Sequence, residues 1–211
     1  MMFTKENIAE ALQHELPGHV SHSKLLPPNR VLKVTAKDKK RVKNSSVLLL
    51  LFEENKELKV ILIKRPAHMK HHAGQIALPG GRIEAGETDI ETALRETYEE
   101  IGITENKIEI LGKLSGFYVE VSRFQIWPIV GWLNSKPVFR INPDEVEKIM
   151  SFPIAKFTPP FEEIQMETLT GKLEVPCVKF AKEIIWGATA MILSEFYDVL
   201  QKVTEIQQSQ S

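Results

Sequence analysis

At 211 residues, with 43% hydrophobic and 26% charged side chains, the chain is long enough for a sizeable core and too ordinary in composition for disorder. A net charge of −1 supplies no global field toward nucleic acid or a membrane surface. The single cysteine, Cys177, excludes an intramolecular disulfide and a cysteine-based zinc site, and no apolar run approaches the ~18 residues a transmembrane helix needs.

The first element expected is a helix over 4–15 (TKENIAEALQHE), with Thr4 as cap and Ile8, Leu12 and Leu16 on one stripe. Pro17-Gly18 ends it, and a linker rich in Ser, His and Pro follows. Residues 1–30 therefore read as an N-terminal helical extension and linker, 31–206 as the main domain, and 207–211 (QQSQS) as a frayed tail. The N-terminus lacks a signal-peptide core, which points to a cytoplasmic protein. Residues 30–43 gather Arg30, Lys33, Lys37, Lys39, Lys40, Arg41 and Lys43 against Asp38 alone. A solvated loop or edge strand accounts for them. A phosphate-attracting rim is the sharper reading, and the lack of interleaved aromatics argues against RNA or other nucleic acid.

Two apolar runs, 46–52 (SVLLLLF) and 58–64 (LKVILIK), flank the polar turn 53–57 and predict a hairpin with at least one strand buried on both faces. A short strand at 75–78 enters Pro79-Gly80-Gly81, where paired glycines let backbone approach a ligand without Cβ obstruction. Thr88 and Glu91 form a capping box, and Gly102 suits the left-handed end of the helix they open. Ile90, Ala93, Leu94, Thr97 and Ile101 recur at helical spacing and face a core. Glu96 then neighbours Glu99 and Glu100 at i+3 and i+4, where like charges cost roughly 0.2–0.5 kcal/mol per pair. Their place near the negative end of the helix dipole adds to that cost. A divalent cation turns both penalties into attraction, and carboxylates with phosphate oxygens are what Mg²⁺ prefers. The bland alternative is a solvated acidic face, with Arg95 pairing Glu91 or Glu99.

Farther along, strands are expected at 107–114 and 124–133, a short helix near 144–150, strands at 173–180 and 183–186, and a final helix over 188–206. His68, His71 and His72 have irregular spacing and no nearby cysteine, which argues against zinc. Trp127, Trp132 and Trp186 read as core packing in preference to adenine stacking, and Cys177 as a buried structural thiol.

Residues 81–103, GRIEAGETDIETALRETYEEIGI, resemble the Nudix box, G-x5-E-x7-R-E-U-x-E-E-x-G-U, where U is a bulky aliphatic. Gly81, Glu87, Arg95, Glu96, Glu99, Glu100, Gly102 and Ile103 match, and Thr97 departs at the first U position. Seven specified positions at ordinary residue frequencies match by chance on the order of 10⁻⁸ per starting point. Upstream, residues 61–81 are similar to the second signature of the coenzyme A diphosphatase branch, LLTxRSxxxRxxxGxxxFPGG. Leu62, Arg65, Gly74, Pro79, Gly80 and Gly81 match, while Ile63, Pro66, Lys70 and Leu78 depart. Lys70 keeps the positive charge but loses the bidentate fork of arginine. Segments 143–154 and 184–193 also look like this branch, so the resemblance spans about 45–195.

This resemblance implies an α/β fold, a Nudix-type α/β/α sandwich with a mixed β-sheet. It implies Mg²⁺- or Mn²⁺-dependent hydrolysis of coenzyme A or acyl-coenzyme A to 3′,5′-ADP and (acyl-)4′-phosphopantetheine. The alternatives are another nucleoside diphosphate derivative (ADP-ribose, NADH, a dinucleoside polyphosphate) or a catalytically silent module binding nucleotide or RNA. The implied metal ligands are Glu96, Glu100, Glu99 and the Gly80 carbonyl, with Glu99 either a ligand or the base that activates water. Arg95 is expected to orient these carboxylates, and Glu87 to support Arg95 or a water at the metal. Distal candidates for the base are Glu120, Asp144, Glu145, Glu162 and Glu163, led by Glu145. Arg65 and Lys70 are the implied phosphate binders, with Gly74, Gln75 and Gly81 shaping the approach. The partner is then a small-molecule nucleotide of the coenzyme A class, with no membrane, and the protein a monomer or homodimer.

Overall fold

The computed structural model describes residues 3–28, 30–32, 34, 41–69, 72–168 and 171–209. The expected hairpin is present as β1 (Lys43–Glu54) and β2 (Glu57–Lys64). Asn55 and Lys56 between them both have positive φ, 54° and 64°, the two-residue turn whose twist suits a hairpin. β1 is the centre of the molecule. The strand β7 (Phe124–Leu133) runs parallel to it, from Lys43 opposite Phe124 to Phe52 opposite Leu133. On its other edge β2 and the short β4 (Gly80–Arg82) pair antiparallel. With neighbours on both edges and both faces, β1 is apolar at almost every inner position.

Alternation along β1 then sorts the core into two halves. Leu48, Leu50 and Phe52 pack with Ala93 and Ile101 of α3 (Asp89–Ile101). Leu49 and Leu51 pack with Met191, Phe196 and Val199 of α4 (Gly187–Ser209). The result is the expected α/β/α sandwich around a mixed eight-stranded sheet. Its main path is β3-β2-β1-β7-β5, with β3 at Ile76–Ala77 and β5 at Ile108–Lys113. The strand β6 (Phe117–Val119) pairs with β7, and β8 (Lys148–Pro153) with β2. A second sheet, β9 (Glu162–Thr168), β10 (Gly171–Phe180) and β11 (Glu183–Trp186), follows in the chain.

Three expectations are corrected. The segment near 144–150 is a turn followed by β8, not a helix. Residues 148–153 pair along β2 from Lys64 to Lys59, with Met150 and Phe152 buried, so the open edge of β2 overrides the helical look of DEVEK. The linker after residue 15 holds a helix of its own, α2 (His19–Ser23), while the first helix, α1, is shorter than expected at Lys5–Ala11. Both pack on the core, where Ile8 and Leu25 are fully buried. Glu195 of α4 is fully buried too, accepting from the Gly18 and Ser115 N–H groups at 3.1 and 3.2 Å and facing His22 Nε2 at 2.9 Å. A buried carboxylate needs such partners, and they fasten the N-terminal segment to the last helix. Finally, α4 continues to Ser209, into the tail expected to fray.

Cys177 is buried and free, and Trp132 lies in the core. No helix among the described residues is long and apolar enough to cross a membrane. Lys33, Lys37, Asp38, Lys39, Lys40, Lys70 and His71 lie outside the described residues.

Candidate active site

The site forms where the glycine turn passes beneath α3. Pro79 accepts from the Leu48 N–H at 2.8 Å, and Gly80 and Gly81 lie opposite Val47 and Ser46 of β1. At Gly80 (φ +151°) a Cβ would overlap the Ser46 carbonyl and the Val47 backbone. At Gly81 a Cβ would overlap the Glu96 carboxylate, which therefore rests directly on the strand backbone. The Gly80 N–H donates to Glu100 Oε2 at 3.0 Å. The two glycines thus let α3 bring two acids against a bare strand.

α3 itself forms as expected. The Glu91 N–H donates to Thr88 Oγ1 at 3.2 Å, and the Thr88 N–H donates back to the Glu91 carboxylate at 2.8 Å. Gly102, at φ 75°, ends the helix with its N–H on the Tyr98 carbonyl. The last carbonyls of a helix need outside donors. Here Arg140 N–H supplies Ile101 at 2.9 Å and Asn142 N–H supplies Glu100 at 3.0 Å. A side chain on Gly102 would meet Arg140, so this glycine also admits the capping loop. That loop delivers Glu145. Glu96, Glu100 and Glu145 each offer an oxygen, all within 4.8 Å of one another.

Glu100 is 1% exposed, and burial pushes its carboxyl up to about 8. The Gly80 N–H and Arg65 oppose that rise, while Glu96 and Glu145 add to it. Burial raises Glu96 as well, with Glu99 and Glu145 acting the same way and Arg95 against. Arg65 Nη1 stands 3.6 Å from Glu100 Oε1, and its Nε is buried with no hydrogen-bond partner among the described residues. Three converging carboxylates, with Arg65 beside Glu100 and Arg95 bonded to Glu96, still leave net negative charge in a largely buried place. A hard divalent cation fits that donor set.

Beside the trio, Arg95 is held as a fork. Its Nε donates to Glu87 Oε1 at 2.6 Å and its Nη2 to Glu87 Oε2 at 3.0 Å. Its Nη1 donates to Glu96 Oε1 at 2.9 Å and to Glu99 Oε2 at 3.1 Å. Glu87 also accepts from the Glu84 N–H and the Thr92 hydroxyl. The Arg95 guanidinium, with those donors, holds the Glu87 carboxyl down to about 2. The same contacts keep Arg95 firmly charged.

The expected residues therefore separate. Glu96 and Glu100 are brought together over Gly80 and Gly81. Glu87 and Arg95 form the bracket that orients Glu96. Glu99 is half-exposed and turned to Arg95, outside the trio, whose third place goes to Glu145. Glu120, Asp144, Glu162 and Glu163 are not in that trio either. Gly80 meets Glu100 through its N–H. Arg65 and Gly74 close a loop, the Arg65 N–H on the Gln75 carbonyl and the Gly74 N–H on the Arg65 carbonyl, both at 3.0 Å. The Gln75 side chain faces His72 Nδ1 at 2.9 Å, and Lys70, within this loop, lies outside the described residues. Glu145 stands far from the box in sequence, and only the branch-like PDEV segment marked it.

A family model described as a NUDIX domain matches residues 42–170. The chain is 40% identical over 112 residues to Nudix hydrolase 3 of Caenorhabditis elegans, covering 52% of this chain and 47% of that protein. It is 34% identical over 141 residues to the uncharacterized Nudix hydrolase NudL of Pectobacterium atrosepticum, covering 64% and 72%. The match spans about half the length of the C. elegans relative. Among solved structures, the Nudix hydrolase RenU of M. smegmatis superposes with a TM-score of 0.53 at 15% identity, over 78% of this chain and 86% of that one, a likeness of fold alone.

Proposed function

This chain belongs to the Nudix family, and on that premise we propose that it hydrolyses the diphosphate of coenzyme A or an acyl-coenzyme A with Mg²⁺ or Mn²⁺. The products are 3′,5′-ADP and 4′-phosphopantetheine or its acyl form. The observation that carries this reading is the convergence of Glu96, Glu100 and Glu145, from two separate segments, on the bare backbone at Gly80-Gly81. These three residues would hold the cation, whose chemistry is to neutralise charge on phosphate oxygens and favour in-line displacement.

The chain's own residues do the rest. Glu87 and Thr92 fix Arg95, and Arg95 fixes Glu96, so the carboxylate is oriented before substrate arrives. The Arg65 guanidinium, its Nη1 standing 3.6 Å from Glu100 Oε1, donates to a non-bridging phosphate oxygen. Glu145 takes the third place for which Glu99 was the first candidate, and Glu99 tightens Arg95 from the solvent side. One water is consumed: its oxygen bonds to phosphorus, the P–O–P bridge opens, and two phosphomonoesters leave. The signature over 61–81 supports coenzyme A as the substrate. So does the exposure of Arg41 and Lys43, basic residues that enter β1 just before Ser45 pairs with Arg82 of the glycine strand. A 3′-phosphate would meet them there.

The test is turnover with Mg²⁺ or Mn²⁺ on coenzyme A, ADP-ribose, NADH and diadenosine polyphosphates, with products identified by mass. Preferred release of 3′,5′-ADP and phosphopantetheine is the expected result. Preference for another compound would overturn the substrate, and no turnover on any would overturn the hydrolase.

A further inference from the structure

Trp127 does not pack in the core. It is 38% exposed and belongs to neither hydrophobic cluster, although it sits in the middle of the sheet's longest parallel pairing. Its neighbours in register explain where it points. Trp127 lies opposite Ser46 on β1, and Ser46 lies opposite Gly81 on β4. Alternation along β7 puts Trp127 on the face of Ile129 and Leu133, which is the α3 face. That is the face on which Glu96 covers Gly81. Two strand spacings, roughly 9–10 Å, separate Trp127 from Gly81.

The indole is laid across the sheet. Its Nε1–H donates to Asn44 Oδ1 on β1 at 3.4 Å. Its opposite edge, Cε3 and Cζ3, lies over Gly116, just before β6, where a Cβ would overlap the ring. The ring thus fills the space that a side chain at residue 116 would take, while Trp127 keeps 38% of its surface exposed. Gln125, two residues back on the same face, pairs in register with Asn44 and stands beside the same Gly116 position. A flat aromatic with two carboxamides at its rim matches the chemistry of a purine: a π-face to stack on and amides to pair with its polar edge.

We infer that Trp127 is the stacking platform for the substrate's nucleobase, with Asn44 and Gln125 reading the base edge. This rests on the hydrolase reading for its phosphate half: a base on Trp127 leaves the ribose and first phosphate to span the two strands to Gly81. Gly116 is then a positioning residue, since only its missing side chain lets the ring lie flat.

The test uses the full chain with Mg²⁺ and calorimetric binding of the α,β-methylene analogue of ADP. Methylenediphosphonate, which has no base, is the control probe. Trp127→Ala and Trp127→Leu should weaken the nucleotide analogue roughly ten-fold, as loss of a base–aromatic stack does, and leave methylenediphosphonate unchanged. Trp127→Phe should retain most of the affinity, and thermal melts should show all three folded. Equal affinity of parent and Leu variant for the analogue would overturn the platform, as would equal loss of both probes. Trp127-dependent analogue binding without turnover of any diphosphate would sink the hydrolase reading and leave the platform standing. Turnover that ignores Trp127 would do the reverse.

Discussion

Glu100→Gln separates charge from shape at the centre of the site. The parent carboxyl is 1% exposed and lifted from 4.5 to about 8 by burial. In the unfolded chain it ionises near the ordinary value, so folding at neutral pH takes up a proton. The sign follows: the favourable contribution is complete below pH 4.5 and is lost as pH rises toward 8. At about 1.4 kcal/mol per pH unit of separation, taking up that proton costs the metal-free native state about 3 kcal/mol at pH 7 and about 1 kcal/mol or less at pH 5. Glutamine is a neutral isostere that keeps an oxygen for the Gly80 N–H. In EDTA the variant should therefore melt roughly 6–12 °C above the parent at pH 7, for a chain of this size. The gap should close to about 2–4 °C or less at pH 5. Added Mn²⁺ should raise the parent's melting temperature and not the variant's, while the variant's turnover falls at least ~100-fold. Calorimetric melts at both pH values, with and without Mn²⁺, decide the matter. A gap independent of pH, or a variant less stable at pH 7, would show that Arg65 holds Glu100 ionised as a structural ion pair, and the buried metal-site argument would fail.

Glu145→Gln should weaken Mn²⁺ binding by roughly 10–100-fold and lower turnover by a similar factor, whereas Glu99→Gln should keep more than about a tenth of the activity. Parallel Mn²⁺ titrations check this, and equal losses would return Glu99 to the metal. Arg65→Ala should lower kcat/KM on coenzyme A and on its 3′-dephospho analogue alike, by roughly 10–100-fold, because its guanidinium stands beside Glu100. A loss confined to coenzyme A would move Arg65 to the 3′-phosphate. Gly81→Ala should displace the Glu96 carboxylate and reduce turnover by about 100-fold or more in a chain that still gives a cooperative melt. An active Gly81→Ala enzyme would mean that Glu96 does not rest on this strand during the reaction.

The helix of the box was legible almost residue by residue. Thr88, Glu91 and Gly102 act within one turn of where they stand, and the Glu96–Glu100 pairing is a matter of helical spacing alone. Glu100 stands seven residues after Ala93, two helical turns along at the edge of the same inward stripe, so its burial is compatible with spacing although its depth is not set by it. Glu145 had no such local marker, because its place depends on a loop hydrogen-bonded to the end of α3. The strand at Lys148–Pro153 was hidden for the same reason: its partner, β2, lies some ninety residues earlier. Trp127 read as a core residue, and only the lateral order β7-β1-β4 carries it to the face and end of the sheet where the acids stand.

Local order by itself determined the caps, the hairpin, the acidic helix face and the glycine turn. Each depends on contacts within a few residues, and elementary sterics and hydrogen bonding decide those before the chain folds. Tertiary structure alone decided which acid completes the trio, how deeply Glu100 is buried, and that an indole lies flat two strands away. Those depend on register and burial between distant segments, where packing of the whole sheet outweighs the preference of any single stretch.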